Sequence, residues 1–364
     1  HSRATRSSPR SKPTQYAVRT LNSAGLQPDI VLARAAVPLD KKRKATISLN
    51  CNVSEEDIIA APNVESVYEV PVNFEKGRLS TRILEKLGLR PRRNDMREWR
   101  RLVRAIRASK KPIRIGIVGK YFGSGKFILE DSYISVIEAI KHAAYSLKRK
   151  PAIEWIDAEE FERTPKKLQA LSAYDGVIVP GGFGSRGVEG KISAIRYCRE
   201  KRIPFFGLCY GMQLALVELA RDVLGLKRAH TTEVNPKTPH PVIDILPEQK
   251  KNIAEKRYGG TMRLGSYPAV LKDKTIARSA YGARTVLERH RHRFEVNPKY
   301  IERAERKGVA FSGVSPDRRL MEIMELPRTK HPFFLGTQFH PELKSRPLDP
   351  HPLFLEFLRA AARR

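Results

Sequence analysis

Cysteine is scarce in this chain of 364 residues: Cys51, Cys198 and Cys209 are the only three, and no two are closely spaced. That excludes a disulfide framework and a cysteine-based zinc cluster, and it fits a reducing compartment, the cytoplasm or an organellar matrix. No metal site is expected. No run approaches the ~18 uninterrupted apolar residues of a membrane span, and the opening residues lack the apolar stretch of a secretory signal, so no membrane partner is expected. The chain starts at His1 rather than Met, as a processed protein or a piece of a longer one would. Acid is in short supply too: 39 Asp and Glu face 69 Lys and Arg, a formal charge of +30. A nucleotide-binding phosphate loop is also missing. Gly119-Lys-Tyr-Phe-Gly-Ser-Gly-Lys126 comes near it, but the glycine spacing is one residue too long, and Phe127 stands where Ser or Thr would bind Mg²⁺.

What is present is core-forming material. Hydrophobic residues make up 41% of the chain, with 14 Phe and 12 Tyr, too much for a disordered basic protein. The length allows two domains at roughly 100 to 200 residues each. Residues 1–15 read as a basic tail. Residues 16–90 read as a partial α/β segment, with strand-type runs at Asp29–Ala33 and Thr46–Leu49 and an alternating stretch over Glu65–Val72. Between Arg90 and Arg114, eleven basic residues meet only Asp95 and Glu98, while Trp99, Leu102, Val103 and Ile106 recur at helical spacing. This is a basic amphipathic helix, a linker over 91–111 that could equally be a solvated face or a surface for RNA or another polyanion.

From Pro112 the pattern becomes regular. Strands at Ile113–Val118, Gly176–Val179 and Pro204–Leu208 alternate with helices at Asp131–Leu147, at Lys191–Lys201 and from Met212 towards Arg221. Such alternation predicts an α/β fold, a parallel sheet flanked by helices over 112–364, with the site in the loops at the carboxyl ends of the strands.

One of those loops carries a nucleophile elbow. Gly207-Leu-Cys209-Tyr-Gly211 lies between an apolar strand and a helix, where flanking glycines permit a sharp turn that presents the side chain. A helix amino end favours a thiolate there. A lone cysteine is more often a buried structural residue; the glycines reverse that reading. A cysteine nucleophile needs a base and an orienting carboxylate, and His340-Pro-Glu342 offers both at the end of an apolar strand, where residues two apart point to the same side. Val179-Pro-Gly-Gly-Phe-Gly184 supplies the third requirement: the N–H of Gly182, with that of Tyr210, can stabilise a developing oxyanion.

Together the cysteine elbow, the Pro-Gly-Gly loop and His340-Pro-Glu342 resemble the class I (triad) glutamine amidotransferases, whose fold is flavodoxin-like. Gly181-Gly-Phe-Gly-Ser-Arg-Gly-Val-Glu-Gly190, Gly259-Gly-Thr-Met-Arg-Leu-Gly265 and Glu288-Arg-His-Arg-His-Arg-Phe-Glu-Val-Asn297 resemble the CTP synthase family within that class. Upstream, Lys12-Pro-Thr-Gln15, Gly25-Leu-Gln-Pro-Asp29 and Ile47 to Val53 resemble the end of that family's synthetase domain. The resemblance implies a triad of Cys209, His340 and Glu342. It implies L-glutamine held by the Gly182 backbone, by Tyr210, Gly211, Met212 and Gln213, by Glu233 at the amino group and by Arg293 at the carboxylate. For the complete family enzyme it implies ATP, Mg and UTP, GTP as an activator, and a synthetase half or homo-oligomer as partner; the glutaminase domain itself needs no cofactor.

The sequence also departs from that pattern. Arg10 replaces a usual Lys beside Lys12 and Gln15, the nucleotide-contacting remnant. Thr46 replaces a basic residue, Arg34-Ala-Ala-Val37 replaces a charged run, and Tyr210 replaces an aliphatic residue next to the nucleophile. Nucleotide binding by this chain alone is therefore not expected, and the larger ring of Tyr210 is expected to narrow the glutamine pocket. Two functions follow: the glutaminase half of a CTP synthase, or a retired fold serving as a basic structural subunit of a ribonucleoprotein.

Overall fold

A computed structural model describes residues 11–91, 95–120, 133–245 and 262–364. Arg10 with the rest of the opening tail, residues 121–126 of the phosphate-loop look-alike and residues 259–261 of the glycine motif lie outside the described residues. The chain divides into two compact units, His1–Arg104 and Ala105–Arg364. This division falls inside the basic helix rather than after it.

In the first unit, α1 (Lys12–Ser23), β1 (Val31–Ala35), α2 (Lys41–Cys51), β2 (Ile58–Pro62), α3 (Val70–Lys76) and α4 (Leu79–Lys86) precede α5 (Arg97–Ala108). β1 and β2 pair in parallel and share a small core of Val18, Val31, Ile47, Cys51 and Ile58. Lys12 and Gln15 thus sit on the first turn of α1, not in a tail. The strand expected at Thr46–Leu49 is also absent. Asp40 caps a helix there, its carboxylate accepting from Arg43 N at 2.8 Å, and the only buried positions are Ile47 and Cys51, four apart. Helical spacing and a cap outweigh the β-branched pair Thr46-Ile47. Residues 65–72 are likewise no strand: a 3₁₀ turn at Val67–Glu69 runs into α3, with Pro71 in its first turn. The true second strand, Ile58–Pro62, is a short apolar run without alternation. The basic helix forms as read, its arginines exposed and Trp99 Nε1 donating to Tyr68 O at 2.7 Å.

The second unit is built on nine strands. β3 (Pro112–Gly119), β4 (Lys150–Asp157), β5 (Gly176–Val179), β6 (Phe205–Leu208), β9 (Arg263–Leu271), β10 (Thr285–His292), β12 (Ala310–Val314), β13 (Met321–Leu326) and β14 (Phe334–Thr337) lie in the order β10-β9-β12-β13-β14-β6-β5-β3-β4. From β14 to β4 all pairings are parallel, as expected; from β10 to β14 they are antiparallel, an extension the sequence reading did not contain. A small second sheet joins β11 (Phe294–Val296), β8 (His240–Ile245) and β7 (Ala229–Thr231). Of the parallel strands, β5, β6 and β14 are buried on both faces. Val177, Val179 and Phe205 face one core with α7 (Ala158–Arg163), α8 (Val188–Glu200) and α9 (Tyr210–Asp222); Ile178, Phe206 and Leu208 face the other, with α6 (Ile134–Ser146) and the helix Pro352–Ala361. Such strands read as continuous apolar runs for that reason. Among the described residues no helix is long and apolar enough to cross a membrane.

What positions the site is how closely α9 lies on the sheet. A Cβ on Gly211 would stand 2.0 Å from Val179 O; one on Gly207 would stand 2.7 Å from Gly211 C, and one on Gly336 2.8 Å from Met212 Cβ. Three glycines therefore let the helix descend onto β5, β6 and β14. Gly211→Ala should lower the unfolding free energy by about 2 kcal/mol or more, because backbone rather than a flexible side chain must give way. Denaturant titration checks this, and parental stability would remove the close-approach argument.

Candidate active site

Three adjacent parallel strands, β5, β6 and β14, end at one edge, and each delivers one part of the site. β6 runs into Cys209, the cap residue of α9, whose backbone is left-handed with φ 49°. That conformation is uncommon for a residue with a Cβ and is the geometry of an elbow. It is pinned on both sides: Cys209 N donates to Thr337 O at 2.6 Å, and Gln213 N donates to Cys209 O at 3.1 Å. Cys209 is 5% exposed. Of the other cysteines, burial pushes the Cys198 thiol far up and also raises Cys51, so neither competes as a nucleophile.

β14 ends at Thr337, and His340 and Glu342 follow in a 3₁₀ turn over Pro341–Leu343. Strand alternation therefore does not align them, contrary to the expectation; the turn does. His340 Nδ1 meets Glu342 Oε1 at 2.7 Å, and His340 N donates to Arg289 O at 2.8 Å. The other ring nitrogen, Nε2, is buried without a hydrogen-bond partner. Burial disfavours the imidazolium, but its interactions with the neighbouring Cys209 and with the Glu342 carboxylate more than offset that, holding His340 well above its ordinary range. A proton on His340 beside a sulfur nucleophile is what nucleophilic attack followed by amine departure needs.

β5 leads into Gly181 and Gly182. Glu233 accepts from Gly184 N at 2.7 Å, the Tyr210 hydroxyl donates to Gly184 O at 2.7 Å, and Lys120 Nζ donates to Phe183 O. Around these groups lies a cavity of about 820 Å³. Its lining includes Cys209, His340, Glu342, Gly182, Tyr210, Gln213, Glu233 and Arg293, eight of the expected site residues. Gly211 and Met212 are not among them: both are buried against the sheet, where they serve packing. Gln213 turns its amide nitrogen to Phe294 O at 3.1 Å and Gln338 Oε1 at 3.3 Å, leaving Oε1 unpartnered. Arg293 Nε is likewise buried without a partner, a donor available to an anion in the cavity. Burial raises the Glu233 carboxyl, against the pull of the Gly184 N–H, Lys120 and Arg293. Tyr210 lines the cavity, and its hydroxyl is engaged with the glycine loop.

Two residues of this site were not singled out from the sequence. Lys120 follows β3, another carboxyl strand end, which was the available signal. Gln338, whose Nε2 lies 3.8 Å from Cys209 Sγ, stands between β14 and His340 inside a motif already quoted.

Known proteins resemble this chain over most of its length. Residues 128–360 match the family described as glutamine amidotransferase class-I, and residues 2–89 match that described as CTP synthase N-terminus. The chain belongs to the class I glutamine amidotransferases, in their CTP synthase branch. The CTP synthase of Thermococcus gammatolerans is 50% identical over 356 residues, 98% of this chain and 64% of the relative. That of Pyrococcus furiosus is 50% identical over 353 residues, covering 97% and 64%. That of Halalkalibacterium halodurans is 47% identical over 357, covering 98% and 65%. This chain thus spans slightly less than two thirds of the length of these curated relatives. The solved glutaminase domain of the Trypanosoma brucei CTPS, with bound acivicin, is 36% identical, with a TM-score of 0.63 over 69% of this chain and 94% of that one.

Removing the carboxylate that faces His340 should let its imidazolium lose the proton at lower pH. In Glu342→Gln, a histidine-labelled NMR titration should place His340 clearly below its position in the parent protein. An unmoved titration would mean that Glu342 is not its electrostatic partner.

Proposed function

We propose that this chain is the glutamine-hydrolysing part of a CTP synthase, releasing ammonia from L-glutamine for the ATP-dependent amination of UTP. The observation that carries the reading is the convergence of Cys209, His340 and Glu342 from neighbouring strand ends onto one cavity. In this reading Cys209 Sγ attacks the side-chain amide carbon of glutamine. The carbonyl oxygen becomes an oxyanion facing the N–H groups of Gly182 and Tyr210. His340 gives its proton to the leaving nitrogen, ammonia departs, and a thioester remains. Water then attacks the thioester with His340 as base, restoring the thiol and releasing glutamate. Glu342 orients the imidazole and stabilises its charged form.

Substrate recognition needs one anion and one cation for the zwitterion. Glu233 faces the amino group and Arg293 the carboxylate, whose oxygens would satisfy the unpartnered Nε. Gln213 Oε1 is a further acceptor in the cavity.

Nucleotide chemistry is not assigned to these residues. Of the remnant, Lys12 is one exposed cation, and the Gln15 amide already donates to Ser11 Oγ at 3.1 Å. That set does not fit a triphosphate with its Mg²⁺, which calls for several donors and a carboxylate or hydroxyl ligand. Ammonia would be consumed at a site formed by other residues. Retirement to a basic structural subunit is not favoured, because drift had no reason to leave the triad converged.

Cys209→Ala should abolish release of glutamate and ammonia from glutamine in a coupled assay, and a variant that still turns over would sink the mechanism. Arg293→Gln should raise KM for glutamine roughly 10- to 100-fold, as loss of a charged hydrogen bond does, with a smaller change in kcat. A KM that stays put would remove Arg293 from the carboxylate.

A further inference from the structure

The loop that carries Gly182 has glycine at 181, 182 and 184, so its backbone is permissive and would sample several peptide orientations if left alone. An oxyanion donor must instead be held in place before the reaction, since its worth lies in not reorganising. The peptide group between Phe183 and Gly184 is gripped at both ends: its carbonyl accepts from Lys120 Nζ, and its N–H donates to Glu233 at 2.7 Å. The next carbonyl, that of Gly184, accepts from the Tyr210 hydroxyl at 2.7 Å. Tyr210 is 1% exposed, and the buried ammonium of Lys191 stands over its ring at 5.5 Å, so the phenol has little freedom to swing away. Burial, with the charge of Glu233, keeps the phenol protonated, hence a donor throughout the neutral range.

We propose that the Tyr210 side chain is a positioning residue that latches the oxyanion loop onto the nucleophile elbow. This rests on the glutaminase reading above and deepens it. One residue serves both halves of the hole, its N–H as a donor at the start of α9 and its hydroxyl as the tie that fixes the loop bearing the other donor. The geometry is specific to a hydroxyl. An aliphatic residue at this position, the pattern from which the sequence departs, is smaller and leaves Gly184 O without this partner. The departure at Tyr210 therefore adds a loop restraint.

Tyr210→Phe removes only the hydroxyl, and Tyr210→Leu restores an aliphatic side chain. Both should lower kcat for glutamine hydrolysis about five- to tenfold, the effect of one neutral hydrogen bond on a donor's placement, with KM within about twofold. Amide hydrogen exchange over residues 181–186 should quicken by about the same factor in either variant, with the thermal midpoint nearly unchanged in Tyr210→Phe, which keeps the ring; Tyr210→Leu also loses buried volume and should melt lower. Alkylation of Cys209 by iodoacetamide, which builds no oxyanion, should keep the parental rate. Wild-type kcat in either variant overturns the proposal, as does unchanged loop exchange, and so does slowed alkylation, which would place the damage at the nucleophile. If the parent protein itself fails to hydrolyse glutamine while Cys209 alkylates, the glutaminase reading falls, and the exchange comparison still decides whether the latch exists.

Discussion

The close seating of α9 on the parallel strands is the constraint from which the rest of the site follows. Gly207, Gly211 and Gly336 each stand where a Cβ would come within 3 Å of a neighbour, in β5 for Gly211 and in α9 for the other two. With the helix that low, the connection from β6 has one residue in which to turn, and Cys209 takes a left-handed backbone to do it. A non-glycine residue in that region stores roughly 1–3 kcal/mol, which persists because surrounding hydrogen bonds over-determine it. Cys209 has such bonds on both sides, to Thr337 O and from Gln213 N. Strain, nucleophile position and helix start are thus one feature.

Sheet topology does the second half of the work. β5, β6 and β14 are neighbours in parallel register, with Val179 opposite Gly207 and Leu208 opposite Thr337. Their carboxyl ends therefore release three loops within reach of each other, although 130 residues separate Cys209 from His340 along the chain. The antiparallel extension adds a fourth contribution. β10 supports His340 through Arg289 O, and the turn from β10 to β11 carries Arg293 to the cavity. Polar groups so crowded need partners, and three that lack one, His340 Nε2, Gln213 Oε1 and Arg293 Nε, border the same cavity. A second group of unpartnered buried atoms, on Glu288, His290, Glu295, Ser312 and Glu322, does not line the cavity, so it is the residues facing the cavity, and not a lack of partners alone, that mark a place for a polar ligand.

Much of this was legible in the sequence, but unevenly. The elbow was legible because its glycines answer to local geometry. The His340–Glu342 pair was identified with the wrong mechanism of alignment, since a 3₁₀ turn beginning at Pro341 cannot be told from a continuing strand when both follow an apolar run. Gly211 and Met212 were assigned to the substrate by the family resemblance; α9 turns them into the sheet, and neither lines the cavity. Thr46–Leu49 looked like a strand on its β-branched residues, whereas the Asp40 cap and the four-residue spacing of Ile47 and Cys51 make it α2. The strands β9, β10, β12 and β13 went unread because edge-to-edge pairing between distant segments leaves little local trace.

By itself, the sequence determined the fold class and the family and pointed to the three residues proposed to react, because each rests on short-range signals: alternating apolar segments, glycines beside a cysteine, a histidine two residues from a carboxylate. Only the tertiary structure decided what surrounds them. It turned Gly211 and Met212 away, brought Lys120 and Gln338 in, and tied the Tyr210 hydroxyl to Gly184. Those outcomes depend on which strands lie side by side and how closely a helix can approach them, and such distances are set by packing across the whole sheet rather than by any residue's neighbours in the chain.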